Sequence, residues 1–146
     1  MIQDISVHTV LRESSSGVYA DLVTRPTGRV VRESIERAMA AAGAPAVTRM
    51  DFTGVGCMDH SCADEIVARL LRARPALLLL RGLTDGHRDA MEPVLASHGL
   101  AVVVEQPDGT LEALGTPAAA AELFEQLVAQ RLAGRLPGGM FALIVT

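Results

Sequence analysis

Two hydrophobic periods alternate along this chain. Ile5, Val7, Thr9 and Leu11 fall at every second position, which predicts a strand with one buried face. Ser14-Ser15-Ser16-Gly17 reads as a turn and Val18 to Thr24 as a returning strand, so the chain is expected to open with a β-hairpin. Pro26 and Gly28 break that pattern. Beyond them Val31, Ile35, Ala38, Met39 and Ala42 recur at helical spacing until Gly43 and Pro45. Ala46 to Phe52 reads as a central strand leading into the loop Thr53-Gly54-Val55-Gly56. The cleanest helix follows, with Ala63, Ile66, Val67, Leu70 and Leu71 on one face, Ser61 placed as N-cap, and Asp64 and Glu65 in the first turn. Pro75 ends it. Ala76 to Leu80 reads as a strand buried on both faces.

Thr84 or Asp85 caps a further helix with Met91, Val94, Leu95 and His98 on one face, closed by Gly99. Ala101 to Glu105 and Thr110 to Leu114 flank the turn Pro107-Asp108-Gly109. Thr116-Pro117 opens a last helix bearing Ala120, Leu123, Phe124, Leu127 and Val128. Pro137-Gly138-Gly139 breaks it, and Phe141 to Val145 reads as a short strand. The order β-β-α-β-α-β-α-β-β-α-β predicts an α/β fold, a mixed sheet with helices packed on it, without a linker or repeat. Residues 1–146 are expected to form one domain, a size that can bury a core without staples.

Composition narrows the function. The chain has no tryptophan, one tyrosine and three phenylalanines, so it offers no aromatic platform for stacking bases. Its net charge is −4, and its 13 basic residues are all arginine. The densest basic stretch, Arg25, Arg29, Arg32 and Arg37, is diluted by Glu33 and Glu36, unlike a phosphate-backbone binder. Two cysteines make no disulfide framework, and the start lacks a basic, then apolar leader. The longest apolar run, Pro75 to Leu80, is too short to span a bilayer. These features predict a cytoplasmic chain that engages neither nucleic acid nor membrane.

Reactive side chains concentrate in Cys57-Met58-Asp59-His60-Ser61-Cys62, followed by Asp64 and Glu65, at a strand-to-helix junction where open α/β sheets place binding sites. Cys57, His60 and Cys62, with Asp59, are ligand types that zinc accepts, but their spacing matches no zinc ribbon or finger. Cys62 near a helix start, with His60 or His87 as base, is a candidate nucleophile; the competing reading is a packed thiol. Ser61 lacks the glycines of a nucleophile elbow. Asp59, His60, Ser61, Asp64 and Glu65 offer instead a polar, acidic docking face for a basic partner protein. Separately, Arg25, Thr27, Gly28 and Arg29 at a helix start are candidates for holding a small anion or nucleotide. His8, His87 and His98 receive no functional role.

The stretch Met50-Asp-Phe-Thr-Gly-Val-Gly-Cys-Met-Asp-His-Ser-Cys-Ala-Asp-Glu-Ile66 resembles the signature of STAS domains, the sulphate-transporter and anti-sigma-factor-antagonist modules. Asp51, Gly54, Val55, Asp59 and Ser61 match the pattern, and Ser61-Cys-Ala-Asp-Glu65 is similar to STAS-like bacterial proteins of unknown role, as is Thr24-Arg-Pro-Thr-Gly-Arg29. The resemblance covers about residues 18–114. It implies a non-catalytic regulatory module in signal transduction, without a cofactor, docking to a kinase-like ATPase or an anti-sigma-type regulator. The helix and strand beyond it are expected to cover a sheet edge or to join two copies in a homodimer. The sequence departs at the switch: the family phosphoserine directly follows the aspartate, where this chain has His60. Phosphate on Ser61 would gain from the helix N-terminus and lose to Asp59, Asp64 and Glu65.

Overall fold

The hydrophobic alternation found along the chain closes on a seven-stranded sheet. The computed structural model describes residues 2–14, 20–43, 45–73 and 77–144. Strands β1 (Ile2–Ser6), β2 (Val47–Asp51), β3 (Leu77–Arg81) and β4 (Ala101–Glu105) run parallel in that order. Antiparallel β5 (Thr110–Gly115), β7 (Phe141–Leu143) and β6 (Ala133–Arg135) complete the sheet, in the order β1-β2-β3-β4-β5-β7-β6. The helices are α1 (Val7–Ser14), α2 (Arg25–Ala41), α3, α4 (Asp85–Ser97) and α5 (Pro117–Ala129). Helix α3 is continuous over 60–73 but changes pitch: His60–Cys62 and Arg69–Ala73 are α-helical, and Ala63–Ala68 between them is a π-helix.

Because neighbouring strand residues face opposite ways, each parallel strand feeds two cores. Met50, Leu78, Leu80, Val102 and Val104 pack with Val31 and Ile35 of α2, Ile66 and Leu70 of α3, and Met91 and Leu95 of α4. Val47, Leu79 and Val103 point to the other face, where Leu127 of α5 covers them with Leu123 and Phe124. Arg49 of β2 lies on that second face and reaches both ways, to Asp4 of β1 at 2.6 Å and to Glu105 of β4 at 3.2 Å.

The expected N-terminal hairpin is not there. β1 ends at Ser6, and Val7–Ser14 is helical. Val7 and Leu11 are spaced for one helical face as well as for a strand, and both are buried, whereas Thr9 between them is exposed. β1 pairs in parallel with β2 instead of with Val18–Thr24. Residues 15–19, which hold most of the expected turn, lie outside the described residues. The rest of that segment, 20–24, runs beside 56–59 through the Leu22–Met58 bridge. Pro26 and Gly28 do not precede the second helix but sit in its first turn, and β6, a three-residue strand containing Gly134, carried no periodic signal. The final strand stops at Leu143; Val145 lies outside the described residues.

The helical reading of residues 7–14 has a simple test. Leu11→Ala should destabilise the protein by about 2–4 kcal/mol, as for a buried leucine, while Thr9→Glu should stay within roughly 0.5 kcal/mol. Urea unfolding of the two variants checks this; a strand would put both residues on one face and make Thr9→Glu the more damaging.

Candidate functional site

The two stretches singled out from sequence, 25–29 and 57–65, meet. Segment 20–24 straps the loop after β2: Gly56 N–H donates to Ala20 O at 2.7 Å, Leu22 N–H to Cys57 O at 2.7 Å, and Asp59 N–H to Leu22 O at 3.0 Å. The Asp21 carboxylate accepts Cys57 N–H at 2.8 Å. From the opposite side His87, buried on α4, fastens the same loop. Its Nδ1 accepts Thr84 N–H at 3.0 Å, so the proton sits on Nε2, which donates to Gly56 O at 2.7 Å.

Asp59, not Ser61, is the N-cap of α3. Its Oδ1 accepts Cys62 N–H at 2.8 Å and the Ser61 hydroxyl at 2.7 Å, while Oδ2 accepts Thr24 N–H at 3.0 Å. One carboxylate therefore caps α3 and fixes the entrance to α2. Burial alone would raise its pKa, but these three donors outweigh burial and hold it below the ordinary aspartate value. The aspartate wins the cap because it accepts from several donors at once, whereas Ser61 is left one residue inside the helix.

Thr24 has φ +71°, a conformation that side chains other than glycine adopt at a cost of about 1–3 kcal/mol. Its surroundings enforce it. The carbonyl accepts the Cys62 thiol at 3.1 Å and Gly28 N–H at 3.2 Å. Helices α2 and α3 touch at Gly28, where an added Cβ would stand 3.0 Å from Glu65 Cβ and 3.2 Å from Cys62 Cα. A glycine is needed there for the close approach of the two helices, not for a turn.

That contact seats Glu65 among arginines. Its side chain has no solvent exposure, yet four guanidiniums approach its two oxygens. Arg25 Nη1 lies 2.8 Å and Arg69 Nε 3.1 Å from Oε2; Arg32 Nη2 lies 3.5 Å and Arg29 Nε 3.7 Å from Oε1. Asp64, beside it, pairs with Arg25 at 2.8 Å and with His98, the C-cap of α4, at 2.9 Å. Burial would raise the pKa of both acids; for Glu65 the Arg25 hydrogen bond and the charges of Arg69 and Arg32 prevail, and for Asp64 the bonds from Arg25 and His98. Both stay ionised and below their ordinary values.

The acidic docking face is thus not an acidic surface. Glu65 is buried, Asp59 and Asp64 are committed to internal partners, and solvent meets guanidiniums together with exposed His60. Of the anion candidates, Arg25 and Arg29 reach the surface, Thr27 bonds to Thr24 Oγ1 at 3.1 Å, and Gly28 is buried. Arg32, Arg69 and His98 belong to the assembly without having been singled out, and His87, read as a base for Cys62, serves it by anchoring Gly56. The signals were the Arg25, Arg29, Arg32 spacing along one helical face and the i, i+4 pair Glu65–Arg69.

The cysteine and metal readings lose their geometry. The Cys62 thiol is buried and pushed up to about 12 by burial and by the Asp59 charge, so it is a packed thiol and not a nucleophile. Cys57, His60 and Cys62 belong to no group of three or more side chains able to hold a metal ion among the described residues. A cleft of about 640 Å³ between α5 and the beginnings of β2 and β3, lined by Leu77, Leu123 and Leu127 among others, includes none of these residues. Among the described residues no helix is long and apolar enough to cross a membrane. Compared with family models, curated proteins and solved structures, the chain matches none.

Two outcomes are expected. A thiol reagent should modify one cysteine, Cys57, in native protein and both only in urea; fast native modification of Cys62 would contradict its burial. Glu65 and Asp64 have folded pKa values below their unfolded values of about 4.5 and 3.8, so their contribution is complete at neutral pH and is lost as pH falls through the folded values. Glu65→Gln should cost about 2–3 kcal/mol at pH 7, under the roughly 3–5 kcal/mol of a fully buried pair because Arg25 and Arg69 keep water contact. Its acid unfolding curve should also be less steep than that of the wild type.

Proposed function

We propose that this chain is a non-catalytic, STAS-like regulatory module that docks to another protein through the surface where α2 and α3 begin. One observation carries the reading: two separate sequence stretches are tied into a single rigid surface at the loop-to-helix turn of the resemblance. The tie uses the strap 20–24, the shared Asp59 cap, the His87 bond and the Glu65 cluster. Rigid, pre-formed presentation lowers the entropic cost of association.

The surface has the composition of an interaction site. Arg25, Arg29 and Arg69 are each about half exposed there, and arginine is enriched at protein interfaces. The partner patch is accordingly acidic, the reverse of the basic partner expected from sequence. The partner class follows from the resemblance alone: a kinase-like ATPase or an anti-sigma-type regulator, in the cytoplasm. The family's phosphoserine switch does not transfer, because His60 holds that position and the Ser61 hydroxyl is donated to Asp59.

Affinity capture from native lysate tests the docking surface, with Arg29→Glu/Arg69→Glu set against a control on the opposite face of the sheet, Glu125→Arg. The same protein should be held by wild type and control and released by the double variant. Equal capture by all three moves docking elsewhere, and no specific capture by folded wild type overturns the reading.

A further inference from the structure

We propose that the arginines around Glu65 receive a phosphate monoester carried on a side chain of the docking partner. For the source of the phosphate this rests on the docking reading; for the anion site itself it rests on the geometry.

The cluster holds more donors than it uses. Glu65 offers two oxygens to four guanidiniums, and it does so from beneath, out of contact with water. The acid is hidden while the side chains of Arg25, Arg29 and Arg69 are 44%, 56% and 48% exposed. Arg29 and Arg69 approach it through Nε, and among the described residues none of their Nη groups donates to the protein. Arg32 Nε is buried with no acceptor at all, a second sign that donors outnumber acceptors here. Four guanidiniums face four carboxylates, Asp64, Glu65, Glu36 and the capping Asp59, so the charges are matched and what is in surplus is N–H donors. Unused N–H donors remain on the outward side of the cluster.

Three guanidiniums oriented by one buried carboxylate suit a tetrahedral dianion. Each fork can place two N–H donors on adjacent oxygens, and phosphate has three oxygens to share among them. A single carboxylate would satisfy only one fork. The site lies on the outer surface of two helices, where Arg25, Arg29 and Arg69 are open to a docked protein. A free phosphate ion would use the guanidiniums alone, whereas a phosphorylated side chain is delivered to them by the docking of the protein that carries it.

Fluorescence anisotropy on the full chain tests this with a labelled acetyl-Ala-Leu-phosphoserine-Leu-Ala-amide peptide, its serine counterpart, and inorganic phosphate and ATP as competitors. The phosphopeptide should bind, the serine peptide should not, and phosphate should compete only at a concentration at least about tenfold higher. Arg29→Gln/Arg69→Gln should weaken binding about tenfold or more, and circular dichroism at the assay temperature should show the variant folded, since Arg25 and Arg32 still hold Glu65. Phosphate equal to peptide, or ATP tighter than both, overturns the partner-borne source. Absence of phosphopeptide binding by folded wild type overturns the site. The lysate capture separates this from docking: capture without phosphopeptide binding leaves docking standing, and phosphopeptide binding without capture leaves the anion site standing alone.

Discussion

A carboxylate can be buried only if something compensates for its lost hydration, and in this protein the compensation comes from side chains on two helices. Glu65 belongs to α3, while Arg25, Arg29 and Arg32 belong to α2 and only Arg69 to its own helix. Without α2, ionised Glu65 would keep only Arg69 as a partner, so the position of α2 is set by electrostatics as well as by Val31 and Ile35 against the sheet. The same requirement accounts for Gly28. The two helix backbones must approach until a side chain would strike Glu65 Cβ, and only then do the guanidiniums reach their acceptor.

The π-helical segment Ala63–Ala68 fits this constraint. An ordinary helix with Ile66, Val67 and Leu70 against the sheet leaves its flank toward solvent. Widening the turn around Glu65 lets Ala63, Glu65, Ile66, Val67 and Ala68 all be buried in one short stretch, against α2 on one side and α4 on the other. Such widened turns gather at functional sites. Here it coincides with an over-determined Thr24, whose peptide is held at both ends by the start of α3.

Much of the fold was legible because most elements follow one period. β2 to β5 and helices α2 to α5 fall where Met50, Leu80, Val103 or Leu127 repeat at the expected spacing. Where two periods fit equally, sequence misled: Val7 and Leu11 satisfy both a strand and a helix, and only burial of the pair with Thr9 left outside decides between them. At the site, sequence found the residues but not their direction. Asp64 and Glu65 in a first turn look like a solvated acidic face, since helical periodicity does not reveal a second helix lying across them. Arg25 and Glu65 are forty positions apart, and their 2.8 Å contact is a tertiary fact.

The inversion of charge decides what the surface can recognise. A surface acid is free to meet a basic partner; an acid sunk beneath arginines becomes a template that aims them outward. Its presence also limits flexibility, because an arginine that swings away leaves part of the buried charge unpaired. Long arginine side chains ordinarily lose substantial rotamer entropy when they bind a ligand, and here part of that ordering is already achieved in the folded chain. With a net charge of −4 the protein as a whole repels polyanions, so an anion of the proposed kind would have to be recognised at short range by these guanidiniums. Short range and fixed geometry, not overall charge, would distinguish its ligand from nucleic acid.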